Sequence, residues 1–420
     1  MMRMYWTEVR RSPLRWLLPV LVCIDLAVLF GRNTYWIGVW PQASAAAQIP
    51  ALFFGPALAA AATWTAGRAH RRGFAEQLQV SALPTWRPEA ALLASTLTYG
   101  FLAYGVGVVT AAVVSLPEAG PGFLWPGYVL LGLGTVVGCA ATGHAVGRWS
   151  HSTFMAPVCC GVVTFVLLGL FGQSLGFFVL SGHPQVEVAS SALAARLALA
   201  LAIMILAVLI PMAATKGMGR WRSGRMHRLA VLGVLAVPVA AFYEITLGGS
   251  LQVERAAHAA PLCSEETPKV CVWPEDRKYL PELEQMAKRL GRLPADMFTV
   301  PPAFMEAGLG EDKYAGFQII EGSMWSASPS MAGAVLQHTV KPYCPAADQA
   351  AEERRMRAAF ELTTWLEARA NDAGQPADVG GGPPGVDLRE IGELITKPEQ
   401  SQMQWARQRL DVINETPCGG

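Results

Sequence analysis

The chain has 420 residues, 52% hydrophobic and 15% charged, with a formal net charge of +1, so no basic surplus marks it as a nucleic-acid binder. The near-neutral sum hides a division: the first 248 residues carry sixteen basic against seven acidic side chains, and the last 172 carry seventeen against twenty-five. Seven long apolar runs fill the first part, which excludes an ordinary soluble fold for it.

In chain order the runs are Leu14–Phe30, Ala45–Ala66, Ala90–Ser115, Trp125–Gly147, Ala156–Leu180, Ser191–Ala214 and Leu229–Gly248. Each approaches the roughly 20 residues that an α-helix needs to cross a hydrocarbon core. No cleavable signal peptide is expected, because the first run leads into Gly31, Arg32 and Asn33 instead of a small-residue cleavage site. With the N-terminus inside, segments 1–13, 67–89, 148–155 and 215–228 hold thirteen Lys and Arg, whereas 31–44, 116–124 and 181–190 hold Arg32 alone. The bias predicts a cytoplasmic N-terminus, and an odd number of spans then leaves residues 249–420 outside.

Polar intrusions in the runs are few. Asp25 lies near the outer end of the first run and Arg196 near the outer end of the sixth, at similar depth. They are predicted to pair, since an unpaired charge there is expensive; the alternative is a snorkelling Arg196 and an Asp25 in a wet cavity. Gly134 and Gly138, Gly143 and Gly147, and Gly172 and Gly176 are each four apart, a spacing that permits close helix approach. Gly172–Gly176 also spells G-x-S-x-G, but a nucleophile elbow needs a strand–turn–helix, and this pentapeptide sits among Leu170, Phe171, Phe177 and Phe178. Helix packing is the preferred reading.

The chain has no phosphate-loop, zinc-helix or dinucleotide-turn motif, so any ATP-driven work needs a second chain. The segment between the second and third runs suits contact with one. A short helix from Arg71 to about Ala82 puts Phe74 and Leu78 on one face, with Glu76 beside Arg71 and Arg72, and Pro84 follows its end. An apolar knob with a charged rim fits a groove on a peripheral protein. A basic helix lying on anionic lipid is the competing reading.

Arg71-Arg72-Gly73-Phe74-Ala75-Glu76-Gln77-Leu78, followed by Leu83-Pro84, together with the basic amphipathic start Met4–Trp16, resembles the permease subunits of type-2 ABC exporters over about residues 1–215. The resemblance implies that the N-terminal helix and this loop contact a nucleotide-binding subunit, with Arg71, Arg72, Phe74, Glu76 and Leu78 in the coupling contact. ATP and magnesium would be held by that partner and no cofactor by this chain. Six spans with both ends inside are typical of the class, so a seventh span and an external domain depart from it. Cys263-Ser264, Val270-Cys271-Val272-Trp273-Pro274-Glu275 and Arg277-Lys278-Tyr279-Leu280-Pro281 resemble the C-terminal region of actinobacterial permease-like proteins.

Of eight cysteines, Cys23, Cys139, Cys159 and Cys160 fall in apolar runs, while Cys263, Cys271, Cys344 and Cys418 fall in the last 172 residues. Four cysteines in an oxidising compartment suggest two disulfides in one of three pairings. Cys263–Cys271 and Cys344–Cys418 are preferred over the alternatives and over a zinc site, since no C-x-x-C pair occurs and His258 and His338 are isolated. Loop entropy assigns roughly 2.5 kcal/mol to the short loop and about 4.5 to the long one. The same region reads as α-rich α+β. Strands are predicted at Val270–Trp273 and Phe317–Ile320, and helices at Pro281–Leu290, Pro329–Val340, Ala351–Ala370, Val386–Ile395 and Glu399–Ile413. Met356, Phe360 and Leu366 are among the apolar positions of the third helix.

The predicted architecture is a polytopic α-helical membrane protein with seven transmembrane helices (1–248) and a C-terminal extracytoplasmic domain (249–420). The expected role is the permease subunit of an ATP-driven exporter, not an enzyme, paired with itself or a second permease and embedded in lipid. A membrane-anchored sensor or immunity receptor is the alternative. A membrane-bound hydrolase is disfavoured by the missing motifs.

Overall fold

The computed structural model describes residues 2–71, 86–150, 152, 154–215, 225–256, 261–310, 316–340, 349–375, 383 and 385–415. The chain divides into two compact units, Met1–Glu118 with Gly122–Val253, and Glu254–Gly420 with Ala119–Pro121.

The first unit is a helical bundle. It begins with α1 (Met2–Arg11), α2 (Leu14–Gly31), α3 (Trp40–Gln48), α4 (Ala51–Ala66) and the one-turn α5 (Arg68–Arg71). After these come α6 (Trp86–Ser115), α7 (Pro126–Trp149), α8 (Met155–Phe171), β1 (Val186–Val188), α9 (Ser190–Thr215), α10 (Arg225–Leu247) and β2 (Gln252–Glu254). Among the described residues five helices are long and apolar enough to cross a membrane: Leu14–Gly31, Trp40–Ala66, Trp86–Ser115, Pro126–Trp149 and Ser190–Leu209. The stretches Met155–Phe171 and Ala236–Leu247 are apolar and shorter. The α8 surface exposes Val158, Val162, Val163, Phe165, Val166, Leu167 and Leu170, a band that only hydrocarbon solvates without penalty. This is the surface of a membrane protein.

Two of the predicted spans have different limits. The second begins at Trp40, because Pro41 occupies the first turn of α3, where its missing N–H is no loss. The fifth stops at Phe171 instead of Leu180. Gly176 has φ +66, Phe177 N–H donates to Gly172 O and Gly176 N–H to Gln173 O, a glycine-terminated C-cap. The Gly172–Gly176 pentapeptide therefore ends a helix and does not pack one. Gly143 and Gly147 do allow close approach: a Cβ on either would strike the Ala59 or Thr63 carbonyl of α4. Thr63 Oγ1 adds a 2.9 Å donation to Gly143 O, locking α7 onto α4. Leu21, Phe54, Leu58, Leu93, Tyr104 and Val136 fill the main core of the bundle.

The second unit is α-rich around a four-stranded sheet of β3 (Leu262–Cys263), β4 (Lys269–Val272), β5 (Ala303–Glu306) and β6 (Gly316–Phe317), in that order. β3 runs antiparallel to β4, whereas β4–β5 and β5–β6 are parallel. Parallel pairing needs a crossover, and α11 (Leu280–Gly291) supplies it between β4 and β5. The other helices are α12 (Met324–Thr339), α13 (Gln349–Ala370), α14 (Leu388–Ile395) and α15 (Glu399–Asn414). Leu283, Phe304, Met331, Leu362, Trp365 and Leu410 form part of its buried interior. Trp365 Nε1 donates to Gln402 Oε1 at 3.1 Å, and Gln402 Nε2 donates to the carbonyls of Ile395 and Lys397, tying α13 to the α14–α15 turn. Of the expected apolar stripe, Leu366 is buried but Met356 and Phe360 are exposed; α13 buries Ala358, Leu362 and Trp365 instead.

Candidate functional site

The amphipathic α1 lies against α6. Tyr5 Oη and Thr98 Oγ1 are 2.8 Å apart, and Tyr99 Oη donates to Val9 O at 2.7 Å. Glu8 pairs with Arg68 of α5 at 2.7 Å, so the N-terminal helix is fastened to the start of the basic segment. Arg71 closes α5 with its guanidinium 4.2 Å above the Trp64 ring and a hydrogen bond to Trp64 O. Arg72, Phe74, Glu76 and Leu78 lie outside the described residues.

Asp25 and Arg196 are not brought together. Arg196 Nε donates to Gly176 O at 2.6 Å, Nη2 to Leu175 O at 2.8 Å and Nη1 to Ala192 O at 2.7 Å. The guanidinium thus caps the glycine turn that ends α8, because carbonyls freed there find no water in hydrocarbon. Asp25 is buried on α2, where it packs against Gly107 of α6, and neither carboxylate oxygen receives a hydrogen bond from another described residue.

A second polar cluster escaped the sequence reading. Glu89 sits in the first turn of α6, and His144 and Arg148 sit four apart, hence on one face, near the end of α7. Arg148 Nη1 is 2.7 Å from Glu89 Oε1, and His144 Nε2 is 3.1 Å from Glu89 Oε2. His144 is 1% exposed and Glu89 7%. The available signal was a carboxylate at the start of one apolar run opposite an i, i+4 His/Arg pair at the end of the next. Arg148 contributed only to the charge bias in that reading.

A cavity of about 310 Å³ lies between α7, α8 and α9, lined by Gly138, Cys139, Thr142, Thr164, Leu168 and Phe177 among others. Its walls are apolar, with three threonine hydroxyls and no charged group among the lining residues.

In the second unit Cys263 and Cys271 face each other across β3 and β4 and are disulfide-bonded, whereas Cys344 and Cys418 lie outside the described residues. Cys23, Cys139, Cys159 and Cys160 are free thiols in the bundle. Behind β4, Glu306 Oε2 accepts from Trp273 N–H at 2.9 Å. Asp276 is 1% exposed, and neither of its carboxyl oxygens receives a hydrogen bond from another described residue. Burial raises both carboxyls above their ordinary range. Glu275 beside them pairs with Arg255 at 2.8 Å, and that guanidinium lies 4.8 Å from the Trp273 ring centre. Glu367 on α13 is pushed up to about 7 by burial. Among the described residues no group of three His, Cys, Asp or Glu is placed to hold a metal ion.

No protein-family model matches the chain, no curated protein is similar to it at a meaningful level, and no solved structure shares its fold detectably.

Proposed function

We propose that this chain is the permease subunit of an ATP-driven ABC-type exporter, with seven spans, a cytoplasmic N-terminus and an external C-terminal domain. One observation carries the reading most directly. α1 is pinned to α6 and bridged through Glu8–Arg68 to the root of the 68–84 segment, so the amphipathic N-terminus is fastened to the start of that arginine-rich loop. A peripheral ATPase seated there can pass a movement of the loop to α4 and α6 at once. ATP and magnesium belong to that partner, Phe74 and Leu78 enter its groove, and Glu76 meets a basic group on it.

Replacing both Phe74 and Leu78 with aspartate puts charge into an apolar groove, at a cost on the order of several kcal/mol. Membrane insertion is expected to be unchanged and co-purification of the ATPase to be lost. A double variant that still binds and stimulates an ATPase refutes the coupling assignment. If no ATPase accompanies the wild type after mild extraction, the sensor reading replaces this one.

A further inference from the structure

We propose that Glu89, His144 and Arg148 form a proton-binding site between α6 and α7, with the His144 imidazole as the group that takes up and releases the proton. The inference is independent of whether an ATPase binds this chain.

The cluster is more than an ion pair. Glu89–Arg148 at 2.7 Å is enough to clamp α6 to α7, yet a histidine with 1% exposure is added to it. Glu89 Oε2, both nitrogens of His144 and Arg148 Nε make no hydrogen bond with another described residue, although Nε2 lies only 3.1 Å from the carboxylate. A purely structural packing position would be served as well by leucine, without desolvating two ring nitrogens. Imidazole is the side chain whose charge ordinarily changes between pH 5 and 8. Once protonated it presents a donor from each nitrogen, and the one at Nε2 meets an anion.

Among the described residues the charges paired around His144 are Glu89 from α6 and Arg148 from its own helix. Of the other helices packed against α7, α3 and α4 carry no titratable side chain, α8 brings only Cys159 and Cys160, and α9 brings Arg196, which is held by the Gly176 and Leu175 carbonyls. Glu89 therefore faces one cation when the ring is neutral and two when it is charged. Proton uptake draws the first turn of α6 onto α7, which is itself locked to α4 through Gly143 and Thr63. Residues 68–85 join α4 to α6, so the site ties together the two roots of that segment.

The test is ¹⁵N NMR of histidine-labelled full-length protein in nanodiscs from pH 5 to 9. The chain has seven histidines, and the His144 resonance is assigned by its loss in His144→Gln. The ring is expected to change charge state within that range, and Glu89→Gln to weaken its proton affinity at least tenfold. Should Glu89→Gln fail to fold, Arg148→Gln takes its place: removing the competing cation is expected to raise the affinity at least threefold. A ring that keeps one charge state throughout overturns the proposal, as does a proton affinity that changes by less than these factors in the variant used.

Discussion

At the scale of single residues, the contrast between Arg196 and Asp25 carries the most information. Arg196 supplies donors to two carbonyls at the end of α8 and to one on its own helix, while Asp25 accepts none from the described residues, so their stability effects are expected to differ sharply. Arg196→Met keeps the length and removes the donors, leaving Leu175 and Gly176 carbonyls unsatisfied at a cost of about 2–4 kcal/mol. Asp25→Asn, which breaks no hydrogen bond, is expected to change stability by less than about 1 kcal/mol. Gly176→Ala forces a side chain into the left-handed region, costing on the order of 1 kcal/mol. Thermal unfolding in detergent ranks the three; an Asp25→Asn as damaging as Arg196→Met contradicts these assignments. Both polar residues were legible in the sequence. What composition could not show is that an arginine in hydrocarbon has a second class of partner, backbone carbonyls released by a nearby glycine turn.

At the scale of elements, legibility followed signal strength. α11, α13, α14 and α15 begin and end within a few residues of their expected limits, since each has charged helix formers around a periodic apolar set. In α14 the Asp387 carboxylate accepts from the N–H groups of Arg389 and Glu390, a cap of the kind a sequence advertises. β5 was missed because in Ala-Phe-Met-Glu only Phe304 favours a strand, and Ala303 and Glu306 disfavour one; its pairing with β4 decides it. The buried glutamates were illegible for a related reason: Glu306 and Glu367 look like surface carboxylates until the fold encloses them. Their burial has a consequence for pH. In the unfolded chain these groups titrate in the ordinary carboxylate range, and in the folded domain burial holds Asp276, Glu306 and Glu367 above it. Between the two values the folded state binds more protons, so stability is fully present below about pH 4 and falls as pH rises. For Glu367 the loss is complete once pH passes about 7, with a magnitude on the order of 1–3 kcal/mol. Hydrogen exchange of the 261–415 amides in the full chain, corrected for intrinsic rates, should show weaker protection at pH 8 than at pH 5. Glu367→Gln should remove part of that slope; protection that increases with pH contradicts the assignment.

At the scale of the whole molecule the open question is how many of the apolar helices cross. Among the described residues five are long enough, while α8 has 17 residues, about 26 Å of rise, and α10 (Arg225–Leu247) is apolar in sequence from Leu229. If neither α8 nor α10 crosses, five spans still place residues 249–420 opposite the N-terminus, as seven do, so a C-terminal reporter alone is blind to the difference. The charges are not. Without a crossing at α8, Lys216, Arg220, Arg222, Arg225 and Arg228 move to the outer side, and the thirteen-to-one bias collapses. With it, they return inside and Glu187 between α8 and α9 faces out. The Cys263–Cys271 disulfide independently favours an oxidising compartment for the second unit. The seven-span arrangement therefore makes a joint claim: a periplasm-type reporter after Gly420 is active, and Glu187→Cys, at an exposed position of β1, is labelled on intact cells by a membrane-impermeant maleimide above the background of the parent. An active reporter with an unlabelled Glu187→Cys means five spans and a reversal of the charge rule at 216–228. An inactive reporter with a labelled cysteine means that α10 does not cross, and the second unit would then be cytoplasmic, where a structural disulfide is poorly maintained.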